Sequence, residues 1–315
     1  LTSIHNPLFP LILPGLITAT SVQSAEPADR LFFTYTHLPS FQVFNSNFAR
    51  IQGVDTTVNT RSNGFNLSVL NTGFEKTLWC GCSVYVMVPD LNASENVTGQ
   101  QITGVGDISG GIKFVIWCDP AEGAMLTAGT TVTAPTGRPG QFATRFDLVT
   151  PFNTTFSALP APTGTTSMNP TFIQPWLACS WSCEHVMVQD YVGVIVPTSE
   201  QLPTFVNNDF TIAFPMYRSH CVGLATSLTP TLDIQALVPV NHIGTPAANL
   251  VPAEDSPGSL NLPPPTFGFS SQVFVIPGVT IGVCENILFT VAYIIPVAGP
   301  RSYHAGATVG FTMVP

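Results

Sequence analysis

Charge is what this sequence has least of. Only 9% of its 315 residues are Asp, Glu, Lys or Arg, against about 25% in ordinary soluble domains. Lysine occurs at positions 76 and 113 alone, and the formal net charge is −9. Such a chain has no basic patch with which to neutralise phosphates, so nucleic acid is not an expected partner. Long apolar runs are missing too: no stretch of 18 apolar residues and no extended 3.6-residue period occurs, which excludes transmembrane helices and helical bundles. The sequence also lacks a nucleophile elbow, a P-loop, a zinc-type His pair and a dinucleotide glycine motif. The carboxylates at 75, 107, 190, 209 and 233 could meet across a lumen, but no Ser/His pair at suggestive spacing accompanies them, so no enzymatic activity and no cofactor are expected.

Cysteine is present but not as a framework. The seven residues at 80, 82, 118, 179, 183, 221 and 284 are odd in number, so they cannot all pair within the chain. Cys80-Gly-Cys82 and Cys179-x-x-x-Cys183 lack a complementary Cys/His knuckle, and no metal is expected.

What is abundant is β-type sequence punctuated by 29 prolines and 25 glycines, with a mean hydropathy of +0.33. Twelve alternating or apolar runs read as strands: 30–37, 64–76, 81–89, 104–117, 123–135, 171–181, 185–196, 208–218, 226–239, 267–282, 287–296 and 303–314. Short connections (77–80, 118–122, 182–184, 219–225, 283–286) alternate with longer ones (38–63, 90–103, 136–170, 197–207, 240–266, 297–302). The strand after each short turn closes on a proline: Pro89, Pro135, Pro197, Pro239 and Pro296. Proline cannot donate to a ladder, so it suits the point where a strand leaves its neighbour.

Within the runs one face is apolar and the other small and polar. In 226–239, Leu228, Leu232, Ile234 and Val238 alternate with Ser227, Thr231, Asp233 and Gln235. In 104–117, Asp107, Ser109, Gly111 and Lys113 share one face, while Ile108, Ile112, Phe114 and Ile116 share the other. A soluble β-sandwich, as in a shell or capsid subunit, gives similar alternation with the apolar side inward. Three features favour a barrel in lipid. The polar face is Thr, Ser, Gly, Asn and Gln, not the Lys and Glu of a solvated surface. An even strand number with short turns at one end and long loops at the other is the pattern of outer-membrane barrels. Trp79, Trp117, Trp181, Tyr217 and Tyr303 stand near strand ends, as in an interfacial girdle.

Short motifs add a resemblance. Glu26-Pro-Ala-Asp-Arg-Leu-Phe-Phe-Thr-Tyr35, Gly73-Phe-Glu-Lys-Thr77, Gly106-Asp-Ile-Ser109 with Lys113, Ala134-Pro-Thr-Gly137, Gln174-Pro175, Val196-Pro-Thr198, Pro239-Val-Asn-His242 and Pro296-Val-Ala-Gly-Pro-Arg301 come in sequence over residues 24–315. In order and spacing they resemble a family of planctomycete outer-membrane β-barrel proteins, itself similar to transporter-like barrels associated with phenol meta-pathway degradation. The resemblance implies an outer-membrane barrel with a channel or transport role.

The expectation is therefore an all-β, twelve-stranded antiparallel meander barrel over residues 30–315 in the bacterial outer membrane, preceded by a lead-in or plug segment, 1–29, on the periplasmic side or inside the lumen. Expected lumen-lining residues are Glu75, Asp107, Lys113, Asp190, Asp209, Asp233 and Gln235. They form either a charge-lined constriction that selects solutes or an ion-pair network that fills a narrow interior. Expected partners are outer-membrane lipid and lipopolysaccharide, small solutes, and further copies or a larger membrane assembly.

Overall fold

A computed structural model of the chain describes residues 3–4, 24–41, 48–51, 54–57, 65–79, 81–95, 101–137, 171–198, 204–218, 225–240, 245–246, 266–267, 271–283, 286–298 and 305–314. Twelve long strands form the body: β1 (Arg30–Phe41), β2 (Phe65–Trp79), β3 (Cys82–Glu95), β4 (Ile108–Asp119), β5 (Ala124–Ala134), β6 (Phe172–Ser182), β7 (Met187–Pro197), β8 (Phe205–Ala213), β9 (Ala225–Pro239), β10 (Gln272–Val283), β11 (Ile287–Ala298) and β12 (Gly306–Met313). Each pairs antiparallel with its sequence neighbours, and β12 pairs β1 from Met313↔Leu31 to Ala307↔His37. The ring is closed, which removes the free edges an open sheet would present.

The up-and-down path follows from the connections. The five short ones join β2 to β3, β4 to β5, β6 to β7, β8 to β9 and β10 to β11, all at the end where β1 starts and β12 finishes. Two of these turns need left-handed backbone, supplied by Gly81 (φ 78°) and Gly123 (φ 64°). The expected strands are found with shifted ends. The run 104–117 is divided into Gln101–Val105 and β4, because the backbone at Gly106 leaves the ladder opposite Pro89, whose carbonyl accepts the Gly106 N–H at 2.8 Å. Pro89 stays within β3 and faces the extra residue of the interrupted strand, while Pro296 lies in β11 opposite a register shift between Val273 and Phe274. Only Pro197 and Pro239 end their strands, with Pro135 one residue beyond β5.

Burial is inverted relative to a soluble protein. Ile112, Phe114, Leu232, Ile234, Val238, Val291 and Val309 are exposed on the outer face, whereas Thr34, Thr36, Asn71, Thr127, Asn207 and Thr290 are buried inside. The sandwich alternative, with its apolar side inward, is thereby overturned: the hydrophobic effect can stabilise this outer surface only if lipid covers it. Trp79, Trp117, Trp181 and Tyr217 are all exposed, beside the short-turn end, and Tyr303 lies outside the described residues. The inner wall becomes apolar towards the long-loop end, at Leu38, Leu67, Phe172, Ile195, Phe205 and Leu237.

Candidate functional site

Two polar clusters occupy the inner wall. The first is centred on Glu75 of β2, which is 1% exposed. Its cross-strand partner on β1 is Arg30, whose Nη2 and Nε each lie 2.7 Å from Glu75 Oε2. The other carboxylate oxygen takes Lys113 Nζ at 2.8 Å and the Ser83 hydroxyl, which donates at 2.5 Å. One carboxylate therefore bridges two cations, and the cluster carries a net charge of +1. Burial of these charges is tolerated because each finds a partner at hydrogen-bonding distance.

Onto this cluster folds the segment that precedes β1. Lys113 Nζ donates to the carbonyls of Ser24 at 2.9 Å and Glu26 at 3.0 Å. The Ala28 N–H donates to Glu75 Oε1 at 3.2 Å, and the Ala25 N–H to Gln189 Oε1 of β7, also at 3.2 Å. Ala25 is 1% exposed and packs with Trp176, Ala178 and Tyr191. Trp176 fits inside because its β5 neighbour is Gly129, where a Cβ would fall 2.3 Å from the indole. Its ring lies 5.3 Å from that of Tyr191, whose hydroxyl accepts from Gln174 Nε2 at 2.9 Å. Nearer the rim, Lys76 pairs with Asp29, and the ammonium holds the Asp29 carboxyl below its ordinary range.

The second cluster lies on β8 and β9, six strands from β2 and β3 around a ring of twelve, hence on the facing wall. Asp209 pairs across the ladder with Gln235, and Thr211 with Asp233. Asp209 is 4% exposed, Asp233 and Gln235 are each 1% exposed, and Asn207 beside them is 1% exposed.

Of the residues expected to line the lumen, Glu75, Lys113, Asp209, Asp233 and Gln235 face inward. Two do not belong there. Asp107 sits in the break before β4, where its Oδ1 accepts the Gly137 N–H at 2.9 Å and ties down the long-loop rim. Asp190 falls on the outer phase of β7 with Val188 and Val192, opposite in direction to the buried Gln189 and Tyr191. Its Oδ1 accepts from Asn208 Nδ2 at 2.8 Å. That pairing answers the cost of a carboxylate on an apolar face, since Asn208 shares the outer phase of β8. Sequence reasoning missed Arg30, Gln189, Trp176 and Tyr191. Arg30 was recoverable, because aligning the first two strands in antiparallel register puts it opposite Glu75.

No family model and no curated protein matches the sequence. Solved structures do. An outer membrane channel from Pseudomonas putida F1 superposes with a TM-score of 0.54 at 11% identity, covering 95% of this chain and 100% of that one. The transport unit of the autotransporter AIDA-I from Escherichia coli gives 0.47 at 8% identity, over 100% of this chain and 99% of that one. LpxR from Salmonella typhimurium gives 0.46 at 10% identity, over 91% and 100%. The first likeness establishes a shared fold, and the lipid-facing girdle agrees with it: this chain is a β-barrel of the outer-membrane type.

Proposed function

We propose that this barrel is a channel for small solutes whose passage is narrowed by its own Ser24–Asp29 segment, with no catalytic step of its own. The observation that supports the reading is the way the segment is held. Its backbone makes four hydrogen bonds with inward side chains: Lys113 donates two to its carbonyls, and Glu75 and Gln189 each accept one from its N–H groups. A barrel that served only as a wall could fill this space with larger side chains. Here a strip of chain is tethered by contacts that water or a solute could replace.

The resemblance of the short motifs to those of planctomycete barrels is in keeping with the same role and leaves the solute's identity to experiment. On this reading the girdle contacts lipid and lipopolysaccharide, and the lumen contacts solute. The inward carboxylates Glu75, Asp209 and Asp233 outnumber the lysines, which supports a preference for cations. Planar-bilayer recordings test both features. Lys113→Met removes the two bonds to Ser24 and Glu26 but leaves Glu75 paired with Arg30, so conductance should rise. Asp233→Asn should move the reversal potential towards neutrality. If neither the parent nor Lys113→Met conducts, the barrel is a structural member of an outer-membrane assembly.

A further inference from the structure

We propose that, whatever passes through the lumen, two copies of this chain stand side by side in the membrane on their β6–β8 walls, locked by a disulfide between their Cys183 thiols. The placement of cysteine points there. Each of the five short connections read from the sequence carries one, at 80, 118, 183, 221 and 284, and the longer connections, which hold many more residues, carry none. Those five connections share one end of the barrel. In outer-membrane barrels the short turns face the periplasm, an oxidising compartment in which disulfides persist. Copies that cross one membrane in the same sense hold these turns at the same level, so the thiols of neighbours can meet.

Within one copy the described thiols do not reach each other: Cys82, Cys118, Cys179 and Cys183 are all free. Cys118 is level with Met125 of β5 and, one strand on, with Ser180 of β6. Two ladder spacings separate it by about 10 Å from the strand that leads into Cys183, and a disulfide allows about 7 Å between Cα atoms. Cys118 also takes the inward phase of Met125 and Thr127, while Cys82 is buried. Cys183 is exposed in the turn that joins β6 to β7, where its N–H donates to the Val186 carbonyl at 2.9 Å and its neighbours Glu184 and His185 are exposed as well. A two-fold contact brings the same patch of both copies together, so a carboxylate acceptor and a ring N–H donor meet their opposites on either side of the sulfur pair.

The wall next to this turn carries a polar spot where lipid alone would call for apolar side chains. On the outer face Cys179 of β6 is the ladder partner of Asp190 of β7, which accepts from Asn208 of β8. The outer faces of β10 to β12 present Val279, Ile281, Val291 and Val309 instead. Polar and ionisable side chains at membrane depth mark contacts with protein, since lipid gives them no partner. A second copy supplies that cover with the same spot. Closing the link takes one proton from each thiol and two electrons from the pair of sulfurs; a disulfide-bearing oxidant accepts them and leaves as two thiols.

Oxidised glutathione, itself such a disulfide, is the probe. The full chain, reconstituted in lipid vesicles and treated with it, should run without reductant at twice the 33.6 kDa of the monomer and return to the monomer with dithiothreitol. Cys183→Ser should abolish the dimer, and Cys118→Ser should keep it. Adding Glu184→Cys to Cys183→Ser should restore the dimer from the neighbouring position. Adding Asn286→Cys, exposed at the same rim between β10 and β11, should not. Each variant is first checked for the folded barrel by its heat-dependent migration. Intact cells quenched with N-ethylmaleimide before lysis form a second arm and should show the same dimer. A cross-linked band of another mass would seat a different protein on the rim, and monomer in both arms would leave the thiols unpaired; either result overturns the proposal. A dimer that survives Cys183→Ser, or forms equally with Asn286→Cys, overturns it too.

Discussion

Adjacent residues Ile234 and Gln235 offer the sharpest test of the inverted barrel. Ile234 is 39% exposed on the outer face and pairs with Phe210 at the middle of β8, while Gln235 is 1% exposed and pairs with Asp209 inside. Lipid at the middle of the girdle offers no partner to a guanidinium, so Ile234→Arg should destabilise the barrel by about 2–4 kcal/mol. That shifts the folded-to-unfolded ratio by roughly 30- to 700-fold. The same side chain at Gln235 points towards Asp209 and Asp233, where its charge is opposed by theirs, and Gln235→Arg should cost far less. Reversible urea unfolding from lipid vesicles, followed by the fluorescence of the four tryptophans, measures both. Equal penalties, or a larger one at Gln235, would refute the assignment of faces and return the chain to a fold with its apolar side inward.

Glu75→Gln should destabilise by about 3–5 kcal/mol, because it strands Arg30 and Lys113 without a counter-charge; adding Lys113→Met should restore part of the loss, read from the same unfolding curves. For topology, protease added to intact cells should cut within 136–170, which joins β5 to β6 at the long-loop end, and should spare 182–184 at the opposite end. Cleavage at both sites would contradict the up-and-down path.

The fold was legible because period-two alternation survives wherever one face meets lipid and the other a crowded interior. Leu232, Ile234 and Val238 against Asp233 and Gln235 declared both the strand and its orientation. The same rule explains the errors. Asp190 is an outer-phase residue by its spacing from Val188 and Val192, so a charge does not by itself mark an inward position; its partner Asn208 comes from the next strand, and no local pattern announces it. Asp107 was counted along a strand that the structure interrupts, and the interruption depends on Pro89, which lies on another strand. Leu237 and Phe205, both 0% exposed, face inward although apolar, so polarity marks the lumen only away from the long-loop end. The contacts of Ser24–Asp29 were least legible, because the residues that hold its backbone, Glu75, Lys113 and Gln189, lie far apart in sequence and the segment has no periodicity of its own.

The two inner clusters give the lumen a direction across its width as well as along its length. Arg30 and Lys113 against Glu75 leave one positive charge on the wall of β1, β2 and β4, while the carboxyl groups of Asp209 and Asp233 line the wall of β8 and β9. The Ser24–Asp29 segment is arranged in accord with that field. Its carbonyls at Ser24 and Glu26 turn to the Lys113 ammonium, and its Ala25 N–H turns to Gln189 on β7, the strand next to the acidic wall. Each dipole thus lies in its favourable sense. A solute able to displace the segment must offer acceptors to Lys113 and donors towards β7 and β8, a requirement set by opposed walls rather than by any single residue.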